Sequence, residues 1–303
     1  MNAVTKDIVE NHSCWTLNET PVLNDDEFCL WQNLMEQRTG ISLSVDRKSF
    51  LTSNLLIRMH ELGLTQLDDY YKLFVSNSNA GIIEWEVLVD RLTVHETRFF
   101  RDKGALELVG KNYLTSKTGI IGNQNSIQIW SVGCATGEEP YSIAIVLDYF
   151  MRINNIDGYL GVFASDISGT AIAKGYMGVY HRNRLSNLPI EYLKEYFIPI
   201  DLDHYKIVDS IRNRICFSKL NLMNMNNACI ADMDIIYCQN VLIYFKREKR
   251  IKILDQLVSR LKPGGLLVLG PGEITSWQNS LVKQVSENNV LAFRRLEENK
   301  YNG

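Results

Sequence analysis

With 303 residues, 46% of them hydrophobic, the chain can bury a full core and has the length for one large domain or two modest ones. Its 32 lysines and arginines against 35 aspartates and glutamates leave a formal charge of −3, which excludes a general attraction to nucleic-acid phosphates. The six cysteines (Cys14, Cys29, Cys134, Cys216, Cys229 and Cys238) are scattered without a C-x-x-C pair, so neither a metal site nor a disulfide framework is expected.

No window approaches the roughly 20 apolar residues of a membrane span, and the N-terminus lacks a basic start followed by an apolar core. A cytoplasmic protein with no membrane insertion is expected. Residues 1–24 show no sustained periodicity and read as a variable leader. From residue 25 to 89 the pattern turns helical. Phe28, Trp31, Leu34 and Met35 recur at three- and four-residue spacing, as do Phe50, Leu51, Leu55 and Met59. Within this small all-α domain, Arg47, Lys48, Arg58 and His60 could form a basic face toward an acidic partner. Asp46 and Glu61 among them favour an ordinary solvated face.

Residues 90–126 read as a linker. It opens on LTVHETRFFRD (Leu92 to Asp102), continues through a connecting helix from Ala105 to Tyr113, and ends in a loop, Ser116 to Ser126, rich in glycine and asparagine. Residues 127–303 then alternate short apolar runs with helical patterns, the signature of a mostly parallel sheet covered by helices. Strands are predicted at Ile127 to Val132, Tyr159 to Ala164, Ile215 to Ser218, Met233 to Cys238 and Leu266 to Leu269, with Val290 to Arg294 returning antiparallel. Helices are predicted at Glu138 to Met151, Ser168 to Tyr176 and Lys246 to Leu261.

The first strand runs into Gly133-Cys-Ala-Thr-Gly-Glu138-Glu139-Pro140, where glycines let the backbone turn tightly beside a ligand. It is not the G-x-G-x-x-G of dinucleotide sites, and two glutamates at a helix start repel a pyrophosphate. They suit a cationic ligand such as S-adenosylmethionine, or they simply stabilise the helix start. Asp166, after the second strand, suits two ribose hydroxyls or a helix cap. Asn221 with Leu222, and Asn240, follow the third and fourth apolar runs, as adenine contacts or as turn residues.

Taken together, LTVHETRFFRD, WSVGCATGEEPYSIA, FASDIS, GVY, NL, CQNVLIYF and LKPGGLLVLGPGE occur in the order found in CheR-type chemoreceptor glutamate methyltransferases, which the chain closely resembles over about residues 30 to 295. The His-Glu-Thr variant is also similar to PilK, the relative associated with type IV pilus chemosensory systems and hence with twitching motility. The resemblance implies a Rossmann-like S-adenosylmethionine-dependent methyltransferase domain behind an all-α domain. Its implied reaction is methyl transfer to glutamates on receptor signalling helices, leaving S-adenosylhomocysteine.

By the same resemblance Arg101 holds the methionine carboxylate, with His95 and Thr97 as further polar contacts, and Phe99 and Phe100 wedge the two domains together. Glu139 or Glu138 meets the methionyl ammonium, Asp166 the ribose, Asn221 and Leu222 the adenosine, and Cys238 with Gln239 the strand-end rim. Tyr244 orients the substrate. Gln239 replaces the arginine usual in this segment, and Pro271-Gly272 a polar pair before Glu273. A monomer is expected, with no nucleic acid as partner. A non-catalytic cofactor sensor and a nucleic-acid methyltransferase are the rivals, although CQNVLIYF is not an N-P-P-Y segment.

The resemblance also implies a small antiparallel insert near residues 180–215, which in some relatives tethers a receptor peptide. No glycine occurs between Gly178 and Gly264. Because tight hairpins favour residues tolerant of positive φ, for which only asparagine or aspartate could substitute here, the expectation is that this insert is not used as a tether and that the Arg47, Lys48 and Arg58 face recognises the receptor instead.

Overall fold

A computed structural model describes residues 23–76, 78–113, 126–228, 230–274, 277–287 and 289–297. The expected leader up to residue 22 and most of the Ser116 to Ser126 loop lie outside the described residues.

The helical unit comprises α1 (Asp25–Thr39), α2 (Lys48–Glu61), α3 (Leu67–Val75) and α4 (Asn79–Leu92). Helix α1 starts on a reciprocal cap: Asn24 Oδ1 accepts from the Glu27 N–H, and the Glu27 carboxylate accepts from the Asn24 N–H, both at 2.8 Å. It ends at Gly40, whose φ of +80° is easiest for glycine. Phe28, Trp31, Leu34 and Met35 are buried, as their spacing requires, and Trp31 packs against Tyr70, Tyr71 and Phe74.

The predicted basic face is not free. Arg58 is paired with the buried Glu84 and with Glu61, Arg91 Nη2 lies 2.8 Å from Glu61, and Lys48 Nζ lies 2.7 Å from Asp25. Arg47 lies over the Phe50 ring. Pairing across two helices, with Glu84 contributed from α4, neutralises the charge that a one-dimensional reading left exposed.

The linking segment passes through α5 (Lys103–Glu107) and a π-helical turn, Leu108–Tyr113. The second unit then follows as β1 (Ser126–Val132), α6 (Glu138–Ile153), β2 (Tyr159–Asp166), α7 (Gly169–Met177), β3 (Val179–His181), α8 (Ile190–Tyr196), β4 (Phe197–Pro199), β5 (His204–Ile207) and α9 (Asp209–Arg212). It is completed by β6 (Ile215–Lys219), β7 (Met233–Cys238), α10 (Arg247–Ser259), β8 (Leu261–Leu269), β9 (Val282–Glu287) and β10 (Val290–Arg295).

The main sheet has the order β6-β2-β1-β7-β8-β10-β9. Its first five strands are parallel, and the β9–β10 hairpin closes one edge antiparallel. Strand order reverses between β1 and β7, so a crevice opens at their carboxyl ends, the usual ligand position in such sheets. Alternate side chains divide between two cores. Ile127, Ile129, Ile235 and Tyr237 join the α6 side, whereas Trp130, Val132, Ile236 and Cys238 join the α10 side. β9 is the strand the sequence pattern missed, because Val282-Lys-Gln-Val-Ser-Glu287 is an edge with mostly polar residues.

One further expectation is corrected. Phe99 and Phe100 do not wedge the helical unit against the sheet. They belong to the α6-side core, Phe99 edge-on to Tyr180 and Phe197, and Phe100 stacked on Tyr192 with centroids 5.3 Å apart. They anchor the linking segment to the second unit. The antiparallel insert expected near residues 180–215 forms, with order β3-β5-β4. The β4–β5 turn is closed by Asp201, whose Oδ1 accepts from the Asp203 and His204 N–H groups at 2.8 and 2.7 Å.

The two units are joined by backbone bonds, by charge and by Ile41, which enters the α10-side core. The Ser42 N–H donates to the Tyr244 carbonyl at 2.8 Å, Ile41 bridges Phe245, and Glu36 pairs with Lys246 and Lys249.

Candidate active site

The β1–α6 loop shapes the crevice. Gly133 has φ +70°, and a Cβ there would lie 2.3 Å from Val241 Cγ2, so only glycine fits. The Gly133 and Cys134 N–H groups donate to the Ser165 carbonyl at 2.8 and 2.9 Å, and Ala135 donates to Asp166 Oδ2 at 2.9 Å. The loop of β1 is thereby fastened to the end of β2.

Two cavities meet at Gly133, Asn240 and Tyr244. The inner one, about 90 Å3, is bounded by Asp166, Asn221 and Leu222, and closed from the helical unit by Thr39, Ile41, Arg47 and Leu92. The outer one, about 250 Å3, is more polar, with Thr97, Arg101, Glu139, Ser142 and Gln239 on its walls. Tyr244 faces both. Outside the polar cavity lies an open bowl of about 690 Å3.

Adjacent glutamates at the start of α6 have separate roles. Glu139 faces the polar cavity, where its Oε1 accepts from Ser131 Oγ at 2.7 Å. Burial pushes its pKa up to about 8, against the pull of that hydrogen bond and of Arg101. Glu138 points the other way, accepting from Thr136 Oγ1 at 2.6 Å with Arg184 Nη1 3.7 Å away. It lines neither cavity.

Asp166 accepts from the Ser168 N–H through Oδ1 at 2.9 Å and from Ala135 through Oδ2. It therefore braces the turn and lines the inner cavity, while the N-cap of α7 is Ser168, whose Oγ accepts from the Ala171 N–H at 2.9 Å. Burial raises its pKa, while the Ser168 and Ala135 N–H groups and nearby His95 act in the opposite sense. Asn221 likewise lines the cavity while its Nδ2 donates to the Arg38 carbonyl at 2.7 Å. Asn240 adopts φ +61° where the two cavities join.

Three sequence-derived site residues fall outside the cavity walls: Glu138, His95 and Cys238. His95 directs Nε2 to the Asp90 carbonyl and Thr93 Oγ1, at 3.1 and 3.0 Å, and so finishes α4. Cys238 is fully buried on the α10 side because β7 alternates its side chains, and burial raises its thiol pKa well above the ordinary value. Gln239 does reach the polar cavity. Its Nε2 donates to Asp102 Oδ2 at 2.9 Å and its Oε1 accepts from Tyr237 at 3.1 Å, tying the end of β7 to the linking segment.

Sequence reasoning missed the four residues from the helical unit, for which no local signal exists, and missed Glu273. The latter had a signal: a carboxylate directly after the Gly270-Pro-Gly turn. It is completely buried and accepts three backbone N–H bonds.

The donor set fits a cofactor that has an amino-acid end and a nucleoside end. Arg101 and Glu139 present opposite charges to one cavity, matching a carboxylate and an ammonium, and the less polar pocket with its carboxylate at the end of β2 matches a ribose and base. The comparisons agree. The family described as "CheR methyltransferase, SAM binding domain" matches residues 95–291, and "CheR methyltransferase, all-alpha domain" matches residues 26–93. The chain belongs to the CheR methyltransferase family.

Among its relatives is the chemotaxis protein methyltransferase of Escherichia coli, 33% identical over 260 residues that cover 85% of this chain and 87% of that protein. Chemotaxis protein methyltransferase 2 of Vibrio cholerae is 31% identical, with 86% and 89% coverage. Chemotaxis protein methyltransferase 1 of Pseudomonas aeruginosa is 30% identical, with 82% and 89% coverage. Among the described residues no helix is long and apolar enough to cross a membrane.

Proposed function

We propose that the chain transfers a methyl group from S-adenosylmethionine to glutamate side chains of a chemosensory receptor, forming methyl esters and leaving S-adenosylhomocysteine. The observation that carries this reading is the placement of Arg101 and Glu139 on the walls of one cavity, which shares Gly133, Asn240 and Tyr244 with the Asp166 pocket.

When bound, the cofactor supplies an electrophilic methyl group on a sulfonium. The chain's own residues bind and orient. Arg101 takes the methionyl carboxylate with a planar pair of N–H donors, and Glu139 takes the ammonium in its ionised form. Asp166 retains lone pairs for the ribose hydroxyls, while Asn221 and Leu222 border the base. Thr97 and Gln239 complete the wall of the polar cavity. An acceptor glutamate, with a reference pKa of about 4.3, is already ionised at neutral pH and needs no general base. Tyr244, present on both cavities, aligns the acceptor oxygen with the methyl group, and orientation with exclusion of water supplies the rate.

The narrower assignment, to a type IV pilus-associated receptor and twitching motility, is supported only by the His95-Glu-Thr variant. His95 is directed to the Asp90 carbonyl, so that variant bears on the local fold as much as on the partner. The test is to incubate the chain with labelled cofactor and receptor cytoplasmic domains, those of type IV pilus arrays among them. Label released by mild base is the expected result. Cofactor binding without transfer to any receptor domain favours a sensing module instead.

A further inference from the structure

The open bowl shares Arg98, Arg101, Asp102, Gln239 and Asn240 with the polar cavity, so it is the outer approach to the same site. Its walls hold three cations, Arg98, Arg101 and Lys103, against one carboxylate, Asp102. That carboxylate is committed: Oδ1 accepts from the Ala105 N–H at 3.0 Å and Oδ2 from Gln239. Arg101 donates to the Glu96 carbonyl at 3.0 Å and acts on Glu139. Arg98 and Lys103 are exposed, and among the described residues neither is paired with an acidic side chain.

This arrangement runs against the chain as a whole, whose formal charge is −3. It also differs from the helical unit, where Lys48, Arg58 and Arg91 are each matched by a carboxylate. Unpaired cations around a mouth raise the local concentration of anions.

We propose that Arg98 and Lys103 form an acceptor-docking rim that selects a glutamate flanked by further carboxylates, as on an acidic helical segment, over one flanked by neutral side chains. The inference rests on the reading of the chain as a glutamate methyltransferase and adds to it the chemistry by which the acceptor is chosen. Arg98 lines both the bowl and the polar cavity, so an incoming carboxylate passes it before reaching Tyr244. Lys103, on the bowl alone, meets a neighbouring carboxylate one helical turn away.

Two helical peptides test this: each holds one central glutamate, with glutamates at the flanking i±3 and i±4 positions in one and glutamines in the other. Binding to the full chain is read by fluorescence anisotropy in the presence of S-adenosylhomocysteine, and methyl transfer is read separately. The expected preference for the glutamate-flanked peptide is about fivefold at low salt, consistent with two solvent-exposed charge pairs, and it shrinks toward one at about 0.5 M salt.

Arg98→Ala combined with Lys103→Ala brings the ratio close to one, and Arg98→Glu with Lys103→Glu inverts it. A ratio of two peptides on one variant is insensitive to the fraction folded. Equal binding of the two peptides by the parent chain, an unchanged ratio in the variants, or tighter binding of a single-stranded oligonucleotide than of the acidic peptide overturns the rim. Preserved peptide preference without methyl transfer to either peptide or to any receptor domain overturns the methyltransferase reading and leaves the rim standing.

Discussion

Glu273 and Arg250 hold the turn that presents Tyr244 by its opposite polar groups. Glu273 Oε1 accepts from the Val241 and Leu242 N–H groups at 2.7 and 2.9 Å, and Oε2 accepts from Gly270 at 2.6 Å. Arg250 takes the carbonyls, Nε donating to Phe245 at 2.7 Å and Nη2 to Ile243 at 3.1 Å. With Ser42 bound to the Tyr244 carbonyl, little of this turn is free to move.

Glu273→Ala leaves buried N–H donors without acceptors and should lower stability by about 3 kcal/mol or more, measured by denaturant unfolding. Glu273→Gln keeps one acceptor oxygen and should cost less. In both, turnover should fall further than affinity for S-adenosylhomocysteine, because the turn presents Tyr244. An equal fall in both quantities assigns Glu273 to the fold alone.

Glu139 makes the unliganded protein pH-sensitive in a defined sense. Its folded pKa of about 8 lies above its ordinary 4.5, so between these values the folded chain keeps a proton that the unfolded chain has lost. Its contribution to stability therefore falls as pH rises across that window. Glu139→Gln should raise the melting temperature more at about pH 8 than at about pH 5.5, which thermal unfolding of the two proteins checks.

The same carboxylate must ionise to hold an ammonium. Affinity for S-adenosylhomocysteine should rise with pH up to about 8, with close to one proton released per ligand near pH 7, as calorimetry in buffers of different ionisation enthalpy reports. In Glu139→Gln both the proton release and most of the affinity should vanish. Proton release surviving the substitution would move the effect to Asp166, whose pKa burial also raises.

Arg101→Ala and Asp166→Ala should each weaken S-adenosylhomocysteine binding by about 1.5 to 3 kcal/mol, the range for charged hydrogen bonds. Their stabilities should differ. Arg101 is exposed, whereas Asp166 braces the Ala135 and Ser168 N–H groups, so only the second variant should melt earlier. Parent-like binding by both would remove the cofactor from this crevice.

Tyr244→Phe keeps the ring that walls both cavities and removes only the hydroxyl. Turnover on a receptor domain should drop roughly tenfold or more, with cofactor affinity nearly unchanged. Unaltered turnover would return Tyr244 to packing.

Local spacing was enough to predict where α1, α6 and β7 lie. Trp31, Leu34 and Met35 recur at helical spacing, and Met233 to Cys238 form one apolar run, so a hydrophobic face or strand has few other ways to be buried. Motif order located the Gly133 loop and Asp166 for a similar reason: each directly follows or ends an apolar strand, where the chain must turn before the next helix. What the sequence left open was direction. Glu138 and Glu139 are neighbours about 100° apart around a helix, and packing of α6 on the sheet turns one toward Thr136 and Arg184 and the other into the cavity. Arg58 looked free until Glu84, on another helix, came beside it, and which residue closes the glycine-free β4–β5 turn emerged only with Asp201 in place. The inner cavity is completed by Thr39, Ile41, Arg47 and Leu92, which lie far from Asp166 in the chain. Such contacts arise only when separate elements dock, since side-chain charge and volume act across space, and adjacency in sequence records neither.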